Sequence, residues 1–197
     1  AVMKALTREQ LIPYEEYERQ REAFRRRIIA LKARRRLSIG DKVTLLFENR
    51  DTLQFQVQEM IRAERIVDPD KLQEELDVYN ALLPRPGELS ATLFIEVTES
   101  ADIKRDLDAF QGIDRGRTVS LVAGPEAVFG EFEGGHSKED KISAVHFVRF
   151  RPSPRFIEIL QRGVTPVSIR VDHSAYRAEA LAPREMQQEW LADLTGE

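Results

Sequence analysis

Three stretches of this 197-residue chain bring chemically capable side chains close together. The densest is the polar set Glu48, Arg50, Asp51, Gln56, Glu59 and Arg62, followed by Glu64 and Arg65. A strand end, a turn and a helix start would gather these groups. That is a common place for a binding site, and also how a surface turn is built. Read as helix, the segment puts Glu64 on the apolar stripe of Val57, Met60 and Ile61. A carboxylate there must be ion-paired, protonated or liganded, because an unpaired buried charge is too costly. Arg62, Arg65 or an arginine of the preceding helix would pair it. In the second stretch, Ser143 to Phe150, His146 shares a strand face with Ala144, Val148 and Phe150. Such a histidine is either a core group donating to a carbonyl or a general base or ligand. The third is Val171 to Tyr176. Its Asp172-His173 is a dyad in letters only, because neighbours on a strand point to opposite faces. His173 with Tyr176 reads instead as a turn cap. Glu48, Arg50, Glu59, Arg62, Glu64, Arg65, His146 and His173 are therefore the ligand-binding candidates, centred on a polar pocket around Glu64 and His146.

Most familiar chemistries are excluded. The chain has no Cys, which removes disulfides, thiolate metal sites and Cys nucleophiles. It has no phosphate-loop, dinucleotide or nucleophile-elbow motif and no His-Glu-x-x-His string. Glu133-Gly134-Gly135-His136 matches the Glu-x-x-His of di-iron helices in letters. Gly-Gly between the two ligands defeats the shared helical face they need, and the string occurs once where two are required. No metal and no cofactor is expected.

The net charge of -4 conceals a strong asymmetry. Arg19 to Arg36 holds nine basic residues and one acid, Glu22, while the remainder is acidic. On a helical wheel Tyr17, Phe24, Ile28 and Leu31 form one stripe. Arg26, Arg27 and Arg34 lie opposite it, and Arg21, Arg25, Lys32 and Arg36 flank it. No single basic face with interleaved aromatics emerges, so no nucleic-acid partner is expected. A solvated helix is the plain reading. A docking surface for an acidic protein, with Arg26, Arg27 and Arg34 at its centre, is the functional one.

The elements that must position these residues can be read from periodicity. Thr7 to Gln10 has the form of a capping box, and Pro13 breaks or restarts the helix there. A long helix runs from about Tyr14 to Arg36, stopped by Gly40. Val43, Leu45 and Phe47 alternate as a strand, and Asp51 or Thr52 caps the next segment. Residues 53–66 fit a helix by length, although 53–58 has strand alternation and could form a hairpin. A helix from Pro69 to about Leu83 comes next. Strands are expected at 89–97, 117–122, 127–132, 142–151 and 165–172. Helices are expected at 101–110, after Ser153 and over 183–194. Early helices and late strands give an α+β fold, a helical N-terminal part packed on a mostly antiparallel sheet. One domain over 1–197 is expected, with Pro84 to Glu88 dividing a helix-rich 1–86 from a sheet-rich 87–197. The segment 134–140 is the expected mobile loop. Without a long apolar run or an apolar leader at residues 1–6, a cytoplasmic location is expected. The oligomeric state stays open.

Leu45 to Thr52, Gln56 to Ile66, Gln73 to Asn80, Lys141 to Phe150 and Val171 to Tyr176 resemble, in order and over nearly the whole chain, the bacterial domain-of-unknown-function family thirty-five-oh-one. Members are typically encoded beside rubrerythrin and an iron–sulfur protein of the heterodisulfide-reductase type. The resemblance implies a cytoplasmic, non-catalytic accessory or binding role in peroxide defence or redox metabolism. It carries over no catalytic residue. The segment 130–140, with Glu133-Gly134-Gly135-His136, departs from the acidic stretch the resemblance implies there.

Overall fold

The computed structural model describes residues 3–97, 102–133 and 142–196. Thr7 to Gln10 forms only a single 3-10 turn, in which the Thr7 N–H donates to Gln10 Oε1 at 3.1 Å. Helix α1, Tyr14–Arg35, begins directly after Pro13. Glu15 and Glu16 in its first turn and Lys32, Arg34 and Arg35 in its last complement the helix dipole. It buries Tyr17, Phe24, Ile28 and Arg35.

The chain then passes straight into β1, Arg36–Ile39, which pairs with β2, Val43–Phe47. Gly40 therefore makes the hairpin turn, with φ at 75°, and does not stop the helix. A side chain there would collide with the Tyr176 hydroxyl, 2.1 Å from an ideal Cβ. That hydroxyl donates to Ile39 O at 2.5 Å and accepts from Lys42 N–H at 3.1 Å.

Helix α2, Arg50–Glu64, takes the whole ambiguous segment, so the hairpin alternative is not formed. Its cap is Asn49, ahead of the expected Asp51 or Thr52: Asn49 Oδ1 accepts from Thr52 N–H, and Thr52 Oγ1 accepts from Asn49 N–H, both at 3.0 Å. Helix α3, Pro69–Asn80, starts on an Asp68 cap and buries Leu76 and Tyr79.

Nine strands form two antiparallel sheets among the described residues. The first has the order β1-β2-β3-β7-β6, with β3 at Leu89–Ile95, β6 at Glu131–Phe132 and β7 at Val145–Phe150. The second has the order β5-β4-β8-β9, with β4 at Val119–Ala123, β5 at Glu126–Phe129, β8 at Val167–His173 and β9 at Tyr176–Leu181. The short α4, Ile103–Asp108, precedes β4. Helices α5, Pro154–Arg162, and α6, Arg184–Thr195, flank β8 and β9. The expected strand over 127–132 is two strands in different sheets. The break is Gly130, whose N–H donates to Val119 O at 2.8 Å and whose missing Cβ would lie 2.5 Å from Val148 Cγ1.

One core lies between the sheets. Val43, Leu45 and Phe47, Leu89 to Ile95 at alternate positions, Val148 and Phe150 meet Val119, Leu121, Val167, Ile169 and Val171. Phe156, Leu160, Met186 and Trp190 of α5 and α6 join the same cluster. The other face of the first sheet is covered by α1–α3, where Leu53, Val57, Ile61, Leu76 and Tyr79 make a second cluster. The fold is α+β as read from the sequence. Across the expected dividing loop, Ser90 Oγ donates to Leu82 O at 2.6 Å and Arg149 Nη1 to Leu83 O at 3.1 Å. Among the described residues, no helix is long and apolar enough to cross a membrane.

Candidate functional site

The polar set is split into separate places by the packing of α1 on α2. Glu59, on α2, accepts from the Tyr17 hydroxyl at 2.6 Å and from Arg21 Nε and Nη2 at 3.0 and 2.8 Å. Its double hydrogen bond with Arg21 holds the Glu59 carboxyl below its usual range. Burial and the same carboxylate push the Tyr17 hydroxyl well up. Arg62 lies alongside, 2.5 Å from Glu18 Oε1. These contacts lock two helices together and use most of the accepting capacity of Glu59. Arg50 serves the N-terminal turn, donating to Lys4 O at 3.1 Å and Gln10 Oε1 at 2.5 Å.

Glu48 is different. The residue is 2% exposed and sits at the end of β2, on the sheet face turned toward the helices. One hydrogen bond reaches its carboxylate among the described residues, from Thr52 Oγ1 at 3.2 Å. Burial raises its pKa to about 7, against the pull of Lys32, Arg35 and Arg36. Lys32 lies over the Phe55 ring, 5.4 Å from its centre, and burial lowers its pKa. The neighbouring Arg35 is fully buried. Its guanidinium donates to Phe47 O at 2.6 Å, to Glu48 O at 3.4 Å, to Glu189 at 3.2 Å and to Asp193. Burial lifts the Asp193 pKa to about 6.

Glu64 and Arg65 are exposed, which corrects the expectation of a carboxylate on an apolar stripe. The stripe is Leu53, Val57 and Ile61, and α2 ends at Glu64, where Arg65 turns into the left-handed region at φ 51°. Glu64 and Arg65 instead border an open groove with Val67, Asp68, Lys71 and Glu74. His146 does not line that groove, so the expected common pocket is not formed there. His146 lies on the core side of β7, 1% exposed, edge-on to Phe132, with Nε2 2.6 Å from Ser143 O. This is the core histidine bonded to a carbonyl. His173 caps a turn as expected: Nδ1 accepts from Ala175 N–H at 3.1 Å and Nε2 lies 2.7 Å from Gln111 O. Asp172 points away from it and pairs with Arg177 at 3.0 Å. Gly134 to His136 and the rest of the expected mobile loop lie outside the described residues.

The outer face of α1 holds the remaining cations. Arg27 stacks on Phe24, its guanidinium 4.6 Å from the ring centre, and Arg34 pairs with Glu189 at 2.9 Å. Arg19, Arg25 and Arg26 are exposed and make no ion pair or hydrogen bond among the described residues. Ile29, about one turn beyond Arg25 and Arg26, is 55% exposed.

The sequence reading missed Lys32, Arg35, Glu189 and Asp193. The signal for Arg35 was present, since it stands seven residues after Ile28 and so falls on the apolar line. Missed as well was Arg149, which bonds Glu88 at 3.2 Å, Glu133 at 2.7 Å and the carbonyls closing α3.

The model of a family described as "Protein of unknown function (DUF3501)" matches residues 5–194. The chain belongs to that family. A crystal structure of a novel protein of unknown function from Burkholderia pseudomallei is similar over 97% of this chain and 100% of its own, at 34% identity and a TM-score of 0.88. No curated protein matches. The arrangement above is thus that of a DUF3501 chain, whose family description assigns no chemistry to Glu48, Glu59 or His146.

Proposed function

We propose that this chain is a non-catalytic binding protein that docks an acidic protein surface through the outer face of α1. The observation carrying this reading is the division of charge around that helix. Its inner cations are taken up by Glu59, Glu189 and Asp193, whereas Arg19, Arg25 and Arg26 stand exposed with no internal partner among the described residues. Exposed like charges around an aliphatic knob steer an oppositely charged partner and leave Ile29 to be desolvated on contact. An accessory role in a redox or peroxide-defence system is what the sequence resemblance implies for this chain.

Replacing Arg19, Arg25 and Arg26 by Glu tests the docking. The variant should keep the wild-type melting temperature, because these side chains touch nothing inside. It should lose salt-sensitive retention on immobilised poly-glutamate. Retention equal to wild type would overturn the reading.

A further inference from the structure

The acid that α1 calls for is present on the same chain. Helix α3 turns Leu72, Leu76 and Tyr79 inward and exposes Asp70, Glu74, Asp77 and Val78, the last 58% exposed. Asp70 and Glu74 take no side-chain partner among the described residues, and Asp77 accepts only from Gln73 at 2.9 Å. The two ridges match in form. Arg19 and Arg26 on α1 are seven residues apart, as are Asp70 and Asp77 on α3, a rise of about 10 Å in each. Each ridge carries one exposed aliphatic residue, Ile29 or Val78. One minority charge sits in each, Glu22 among the arginines and Lys71 among the acids.

Among the described residues no ion pair or hydrogen bond joins the two ridges, and each helix packs on α2. Helix α2 lies between them, ion-paired to α1 through Glu59 and Arg62 and sharing an apolar cluster with α3. Both ridges thus stand on helices packed against α2. A two-fold pairing of copies would set the basic ridge of each on the acidic ridge of the other and satisfy both contacts at once.

We propose that this chain pairs with a second copy of itself, α1 of each lying on α3 of the other. The proposal rests on the reading of α1 as a docking surface and names its partner. An association built on exposed charges is screened by salt. The wild-type chain therefore sediments as a dimer at about 0.02 M salt and dissociates at about 0.5 M.

Two charge-reversed variants decide it: Arg19→Glu with Arg26→Glu, and Asp70→Lys with Asp77→Lys. Each alone should be folded by circular dichroism and self-associate at least about tenfold more weakly than wild type at low salt. Mixed in equal amounts, they place Glu against Lys at one contact and keep the native Arg against Asp at the other, and the dimer returns. A wild-type monomer at low salt, self-association of either variant at wild-type strength, or a mixture that stays monomeric would each overturn the pairing. Retention on poly-glutamate separates the two readings. A monomeric wild type that is retained, and loses retention on reversal of α1, overturns self-pairing and keeps the docking function. A monomeric wild type that is not retained overturns both.

Discussion

Glu48 is costly to keep ionised, since it is buried with one hydroxyl to satisfy it among the described residues. Its pKa stands near 7 in the fold against an ordinary value of 4.5 in the unfolded chain. The folded state thus retains a proton that the unfolded state has already released, so stability falls as pH climbs from the ordinary carboxylate range through neutrality. Below that range the group contributes no penalty. Asp193, raised to about 6, adds to the same trend over a lower window. Glu48→Gln should therefore stabilise the protein by about 2 kcal/mol near pH 8 and by almost nothing near pH 4. Urea unfolding at the two pH values measures it, and an equal effect at both would contradict the assignment. The same side chain shows what a sequence conceals. Glu48 was visible as a member of a polar set, but its isolation from Glu59 and Arg62 depends on which way β2 turns its even-numbered residues.

Among the elements, α1 and α6 are joined by Arg35, which spans Phe47 O, Glu189 and Asp193. Truncating one member of a buried charge cluster leaves the others unpaired. Arg35→Met should cost about 3 kcal/mol near pH 8, and less once Asp193 takes up its proton below pH about 6. Adding Asp193→Leu should recover part of the loss, read from the urea midpoint. The strongly periodic elements were legible: α1, β2, β3, α3 and α6 all stand where apolar spacing put them. Two strands were not. Arg36-Leu37-Ser38-Ile39 continues the composition of the helix before it, so only pairing with β2 makes it β1. Tyr176 to Leu181 alternates half-exposed alanines with charged residues, a weak pattern that becomes β9 through its partner β8. Glu64 was misplaced for a similar reason. Extending the stripe by one turn assumed that α2 went on, and it ends there.

For the molecule as a whole, the decisive residue is Gly130, where one continuous stretch leaves the second sheet as β5 and enters the first as β6. Backbone and core side chains are so close there that a methyl group meets Val148 and Phe150. Gly130→Ala should cost about 2 kcal/mol by overpacking, and Gly130→Ala with Val148→Ala should regain some of it. An unchanged melting temperature for the single variant would show that the corner can relax. The opposite corner is closed by other means: β9 lies against the β1–β2 turn, and the Tyr176 hydroxyl ties Ile39 O to Lys42 N–H. Four edge strands thus meet in two pairs, β5 with β6 and β9 with β1. A strand edge left open is a template on which other chains can add, and the usual origin of amyloid-like stacking. Turning its sheets inward at both corners gives this chain a native state with little backbone to offer an invading strand.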